Sequence, residues 1–285
     1  MPKIEVPGAS IHFQTVGSGP LLVISQSGEG DADRTADLVP RLVNHFTVLT
    51  YDRRGLSRSR PHDPDRGASI ADHADDLDRL LAHVTDGPVV MLGCSLGAVI
   101  GLHLAVARPG RLRTLVAHEP IAPWLLPHDE AQQHRRELVE IQDAYRAGGL
   151  AGALPAIVRS LDIDPSGAQS EPGLTAFPMD AGRAANFDHF IRHDFTAAIE
   201  DRLDPGLLVG LGTRVVPAAG EATSGGVFDR RCAEALAAVV SSPVRLFPGG
   251  HNGNLSHPRA YARRLLEVLG EPAAATEAAT ARRPA

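Results

Sequence analysis

With 285 residues and 43% hydrophobic side chains, the chain can bury a sizeable core, as one large domain or two small ones. A net charge of -6 argues against nucleic acid as the main partner. The two cysteines, Cys94 and Cys232, give no disulfide framework; MPKIEVPGAS lacks an apolar signal core, and no uninterrupted apolar run approaches the about 18 residues of a membrane span, so a cytoplasmic protein with no membrane partner is expected.

In chain order, IHFQTV (11–16) and LLVIS (21–25) read as strands. Gly17-Ser18-Gly19-Pro20 between them reads as a tight turn, which predicts an antiparallel hairpin. The next loop, QSGEGDADRT, carries neither G-x-G-x-x-G nor G-K-[ST], so it is not a phosphate loop. A helical pattern at 34–44 leads to a strand at 47–51. DRRGLSRSR follows and concentrates Arg53, Arg54, Arg58 and Arg60. These arginines are expected to brace loops around Asp52 through hydrogen bonds rather than to bind an anion.

Helical patterns at 69–84, 96–107, 228–240 and 258–269 alternate with strands at 89–93, 114–117, 214–219 and 244–247. Short, mostly β-branched strands alternating with helices predict an α/β fold, with a mostly parallel central sheet of about eight strands covered by helices on both faces. The alternation stops between about 120 and 205. Asp129 with Gln132 reads as a capping box opening a helix that ends before Gly148, with Leu138, Ile141, Gln142 and Tyr145 on one face. Further helices are expected near 150–161 and 181–200, separated by a Pro/Gly/Ser-rich loop at 162–180. The division is therefore a core in two parts, 1–119 and 206–270, a helical lid at 120–205, and a disordered low-complexity tail at 271–285.

The chemistry centres on VVMLGCSLGAVIGL, residues 89–102. A serine hydroxyl is a poor nucleophile and needs a base beside it and donors for the developing oxyanion. Placing Ser95 on a sharp turn between a strand and a helix exposes its oxygen. Residues two positions away would crowd it, and there the chain has Gly93 and Gly97. Gly93-Cys94-Ser95-Leu96-Gly97 reads as a nucleophile elbow.

With YDRRGLSRS (51–59) and FPGGHNG (247–253), this elbow resembles those of the α/β-hydrolase superfamily, specifically its serine-nucleophile branch with a helical lid, over residues 11–270. The resemblance implies a histidine after the last strand. His251, on a Gly-Gly loop, fits better than His257, which precedes Pro258 at a helix start. It also implies an acid, commonly in a G-x-x-D after the penultimate strand, where this chain has Thr223. Two alternatives remain: Glu119, just past strand 114–117, and Glu221; Asp229 lies further on, in a helix. The resemblance places the oxyanion donors at the Leu96 N–H and in the loop after strand 21–25. By position the second donor is the Ser27 N–H, with Gly28 as substitute, although Ser25-Gln26 stand where relatives often carry His-Gly.

Lid residues such as Trp124, Phe187 and Phe190 are expected to pack among helices or to line an apolar pocket, with Trp124 above the site and Gly28 at its edge. His189 and His193 are four apart but lack the glutamate of a zinc helix, and neither a metal nor another cofactor is expected. The implied function is a serine hydrolase acting on an ester, lactone or similar activated carbonyl in a mostly apolar small molecule. The alternatives are carbon–carbon bond hydrolysis, cofactor-free perhydrolysis or cyclisation in the same pocket, and a non-catalytic ligand-binding protein. A homodimer is compatible with this reading.

Overall fold

Val89–Cys94 is buried at every position, as a strand covered on both faces must be. The computed structural model describes residues 2–163, 166 and 169–270. Along the chain run β1 (Lys3–Val6), β2 (Ala9–Gly17), β3 (Leu21–Ser25), β4 (Thr47–Tyr51), β5 (Arg60–Pro61), α1 (Ile70–Val84), β6 (Val89–Cys94), α2 (Leu96–Ala107) and β7 (Leu112–His118). Then come α3 (His128–Ser160), α4 (Ala181–His189), α5 (Phe195–Glu200), β8 (Arg214–Gly220), α6 (Phe228–Val239), β9 (Arg245–Phe247), α7 (Gly253–Ser256) and α8 (Pro258–Gly270). The expected disordered tail, 271–285, lies outside the described residues.

The strands form one sheet in the order β1-β2-β4-β3-β6-β7-β8-β9, with β5 on β2. From β4 to β9 every pairing is parallel. Alternate side chains supply two cores. Val23, Leu49, Met91 and Leu115 face α1 and α2. Leu22, Ile24, Val48, Val90, Leu92 and Val116 face α8, where they meet Tyr261 and Leu265. Helix α2 is apolar on nearly every side because it is wedged between the sheet and α1. Each fully buried leucine there contributes about 2 kcal/mol.

The sheet corrects one expectation. β2 and β3 do not form a hairpin; β4 lies between them, antiparallel to β2 and parallel to β3. Gly17 and Gly19 are turn residues, both with positive φ, but the turn carries the chain over the start of β4. A Cβ on Gly17 would stand 2.5 Å from the Phe46 carbonyl oxygen, and the Thr47 N–H donates to Pro20 O. Antiparallel pairing at this edge instead joins β1 to β2 around Gly8. The pattern at 34–44 is also no α-helix: it forms two short 3-10 turns, Ala32–Thr35 and Val39–Arg41.

Between β7 and β8 the described elements are all helical. The predicted capping box at Asp129 does not form, because α3 already starts at His128 after Pro127 and has no side-chain cap. Nor does this helix end before Gly148. It continues to Ser160 through a kink at Gly149, whose φ of 60° only glycine adopts freely, so the second expected helix is its far half. The predicted face is present: Leu138 and Ile141 are buried, and Gln142 Nε2 donates to Ile191 O and Thr196 Oγ1. α4 and α5 are continuous through a π-helical turn, Phe190–Asp194. The extra residue in such a turn re-aims side chains, and here it sends Asp194 into the interior. No helix among the described residues is long and apolar enough to cross a membrane.

Candidate active site

Ser95 stands between β6 and α2 with φ 52° and ψ −114°, a conformation strained for any residue with a side chain. Its N–H donates to His118 O at 2.8 Å, tying the turn to β7. The flanking glycines are required by contact. A Cβ on Gly93 would stand 2.6 Å from Gly97 O, and one on Gly97 would stand 2.1 Å from Ser25 O. Gly97 thus lets the end of β3 press against the first turn of α2, which brings residues 25–28 beside the serine.

Geometry brings one of the two candidate carboxylates to the histidine. Glu119 leaves β7 with φ 44°, and its Oε2 accepts from His251 Nδ1 at 2.8 Å. The Gly220 N–H donates to the other oxygen, Oε1, at 2.8 Å. Glu221 is exposed, so of the two carboxylates considered only Glu119 reaches the histidine. Burial pushes the Glu119 carboxyl up. The His251 hydrogen bond, the nearby His118 and His251, and the Gly220 N–H outweigh it and hold the group down at about 2. For His251, burial disfavours the cation, but the Glu119 hydrogen bond and the charges of Asp229 and Glu119 prevail, so its pKa is raised. His118 is driven to about 4, chiefly by burial, and stays neutral at neutral pH. The rival His257 bonds to Ser256 Oγ at 2.9 Å through its Nδ1.

Three loops meet around Ser95. Ser27 Oγ donates to Asn252 Oδ1 at 3.3 Å, and Asn254 Nδ2 donates to Gln26 Oε1 at 3.3 Å, joining the loop after β3 to the loop carrying His251. Among the described residues, neither the Ser27 N–H nor the Leu96 N–H donates to a protein acceptor. Leu96 heads α2, where the first N–H groups have no partner within the helix. Gly28 has φ 41°, and a Cβ there would meet the Phe190 ring at 3.3 Å. A cavity of about 310 Å³ opens onto His251, with Asn252, Ser256 and His257 among its walls.

Of the arginines in DRRGLSRSR, Arg58 braces Asp52 as expected, while Arg54 braces Asp76 instead. Arg58 holds Asp52 with Nε and Nη2, at 2.8 and 2.9 Å, and Arg54 holds Asp76 with Nε and Nη2, at 2.9 and 2.6 Å. Arg53 does something the sequence did not suggest. It is 1% exposed, donates to the carbonyls of Gln26 and Gly28, and pairs with the fully buried Asp194 at 3.1 Å. Asp194 also takes His73 Nε2 at 3.2 Å. Burial would raise the Asp194 carboxyl, but His73 and Arg53 hold it at about 2. Asn186 adds an Nδ2 hydrogen bond to Glu29 O, so the α4–α5 segment holds the whole loop 26–29.

Trp124 Nε1 donates to Asp201 Oδ2 at 2.7 Å, and His103 reaches the same oxygen at 3.0 Å. The indole thus ties the start of the helical insertion to its end. Phe187, Phe190 and Phe195 are buried in the core shared with α2, and the Phe190 and Phe195 rings meet edge to face at 4.6 Å. The His189 and His193 rings meet at a tilt, with centroids 4.8 Å apart, and no group of three or more potential metal ligands exists among the described residues.

A parallel sheet with a serine turn after β6, an acid after β7 and a histidine after β9 defines a class. The chain belongs to the α/β-hydrolase family of enzymes: the α/β hydrolase fold pattern matches residues 20–152, and the full-length likeness below extends over nearly all of the chain. It is 33% identical over 270 residues to the uncharacterized hydrolase YraK of Bacillus subtilis, covering 93% of this chain and 94% of that one. The fold matches a thermophilic esterase from Thermogutta terrifontis with a TM-score of 0.72, at 20% identity over 94% of this chain and 98% of that one. It matches Est816, described as an N-acyl homoserine lactone degrading enzyme, with a TM-score of 0.71, at 20% identity over 93% and 99% of the two chains.

Proposed function

We propose that the protein is a serine hydrolase that opens an ester or lactone of a small, mostly apolar molecule through an acyl-enzyme. The observation that carries this reading is the buried 2.8 Å bond between Glu119 and His251, at the same edge of the sheet as the strained Ser95 turn. Ser95 Oγ attacks the carbonyl carbon while His251 Nε2 takes its proton. Glu119 holds the imidazole through Nδ1 and stabilises the cation that forms. The Leu96 and Ser27 N–H groups, which have no protein acceptor among the described residues, receive the oxyanion. His251 then protonates the leaving alcohol, and water, deprotonated by the same histidine, releases the acid.

The Arg53 bonds to Gln26 O and Gly28 O support the oxyanion assignment. They draw two carbonyls of the loop toward a buried cation and so limit how the intervening peptides can rotate. The esterase and lactone-degrading fold relatives support the substrate class.

The test is a fluorophosphonate probe, which phosphonylates activated serines far faster than unactivated ones. The expected result is a single adduct mapped to Ser95 by mass spectrometry, absent in Ser95→Ala. An unlabelled wild type, or a label elsewhere, rejects the reading. A panel of aryl esters and lactones then locates the substrate class.

A further inference from the structure

Asp229 takes no part in the reaction as written, yet it is a carboxylate only 2% exposed with a histidine on either side. Its Oδ2 lies 3.8 Å from His251 Nδ1, and its Oδ1 lies 3.3 Å from His134 Nε2. It sits in the first turn of α6, directly after Phe228, whose ring stacks on His134 at 4.9 Å. His134 belongs to α3, in the helical insertion, and is equally buried. A chain that needed only packing here would place an apolar residue, because a buried carboxylate is costly unless its charge is used.

The charged and titratable groups around this point are few. His251 is faced by Glu119 and His118 from the β7 edge and by Asp229 from α6. Asp229 is faced by His251 and His134, and by the buried Cys232 one turn along its own helix. His134 is faced by Asp229 and, along its own helix, by Glu137 at 3.6 Å. The neighbouring arginines turn away: Arg230 goes to Glu234 and to the carbonyls of Gly220 and Thr223, and Arg231 to Glu130. The imidazole of His251 therefore has two carboxylates within 4 Å of one nitrogen, at 2.8 and 3.8 Å.

We propose that Asp229 is a positioning residue for His251, a second carboxylate that stabilises its imidazolium, with His134 of the helical insertion as its counter-ion. This rests on the serine-hydrolase reading above. Glu119 supplies the directional hydrogen bond; Asp229 supplies charge at a longer distance. One proton moves, from Ser95 Oγ to His251 Nε2. Because His134 shares Asp229, the helical insertion is coupled electrostatically to the base.

The experiment measures the second-order rate of fluorophosphonate labelling of Ser95 against pH, in the full chain, for wild type, Asp229→Asn, Glu119→Gln and the double variant. This readout needs no substrate. Removing one negative charge beside the imidazole lowers its pKa, so in Asp229→Asn the acid limb moves down by about one pH unit, and the plateau rate falls on the order of ten-fold. The Asp229→Asn step is larger in the Glu119→Gln background, where Asp229 is the remaining carboxylate beside His251. An acid limb left at the wild-type pH, or equal steps in the two backgrounds, overturns the proposal. Should the asparagine variant fail to fold, Asp229→Ala serves: added formate restores its labelling rate, and no response to formate overturns the proposal. A wild type that the probe does not label overturns the serine reading and this inference with it, whereas a labelled wild type with an unresponsive Asp229 overturns this inference alone.

Discussion

Glu119 Oε2 and His251 Nδ1 lie 2.8 Å apart, although 132 positions separate the two residues in the chain. The bond is buried, and the second carboxylate oxygen is held by the Gly220 N–H. Glu119→Gln keeps the shape but not the charge. It is expected to lower kcat by about 10²–10⁴-fold. Glu221→Gln, at an exposed position, should stay within about two-fold of wild type. Steady-state kinetics on the best ester of the panel checks both.

Ser95 stores backbone strain. Its φ of 52° and ψ of −114° cost a side-chain-bearing residue on the order of 1–3 kcal/mol. Ser95→Ala should abolish hydrolysis, leaving less than about a hundredth of the activity, at nearly unchanged stability. Ser95→Gly should also be inactive, but more stable by about 1 kcal/mol once its greater unfolded-state freedom is counted. Denaturant unfolding of the three proteins gives the order; a glycine variant less stable than wild type contradicts the strain argument.

Two glycines separate close approach from mere presence. Gly97→Ala puts a methyl 2.1 Å from the Ser25 carbonyl oxygen, which is backbone and cannot yield, so this variant should lose several kcal/mol of stability, about 3 or more. Gly148→Ala meets nothing within 4 Å and lies inside α3, so it should gain up to about 1 kcal/mol. Thermal melts read both signs.

The pH dependence follows from His251. In the proposed reaction His251 works as the neutral imidazole, and its pKa is raised because Glu119 and Asp229 outweigh burial. The group therefore stays protonated to a higher pH, and kcat/KM should fall on the acid side with a midpoint above the ordinary value of about 6.5. A midpoint below that value would contradict the electrostatics described here.

Asp194 ties the helical insertion to loop 26–29 through Arg53. Breaking a buried ion pair by removing one charge strands the other. Asp194→Asn should thus cost about 3–5 kcal/mol near pH 7. Its carboxyl is held at about 2 in the folded protein, below the unfolded value of about 3.9. The contribution is therefore fully present above the unfolded value and is lost as pH falls from there toward 2. Urea unfolding at pH 7 and pH 3 should show the gap between variant and wild type narrowing at the lower pH.

Much of this protein is local in origin, and that part was legible. The short apolar runs of β6 and β7, the all-round apolar α2 and the two glycines around Ser95 each reflect constraints acting within a few residues. His251 could be found because it follows directly on β9. The strand order was not legible: Gly17 to Pro20 makes a turn in either topology, and only the packing of residues 43–47 under that turn places β4 between β2 and β3. The capping box at Asp129 failed because Pro127 had already started the helix.

What the chain determined by itself was the fold class, the serine turn and the histidine, because each depends on neighbours in sequence. Only the tertiary structure set Glu119 rather than Glu221 against His251, brought Asp229 to within 3.8 Å of the same imidazole nitrogen and joined Arg53 to Asp194. The physical reason is that a carboxylate's part in such a site depends on distance and burial. Both are set by how strand ends and helices meet across the sheet, and a side chain's place in the sequence carries no record of which charge it will face.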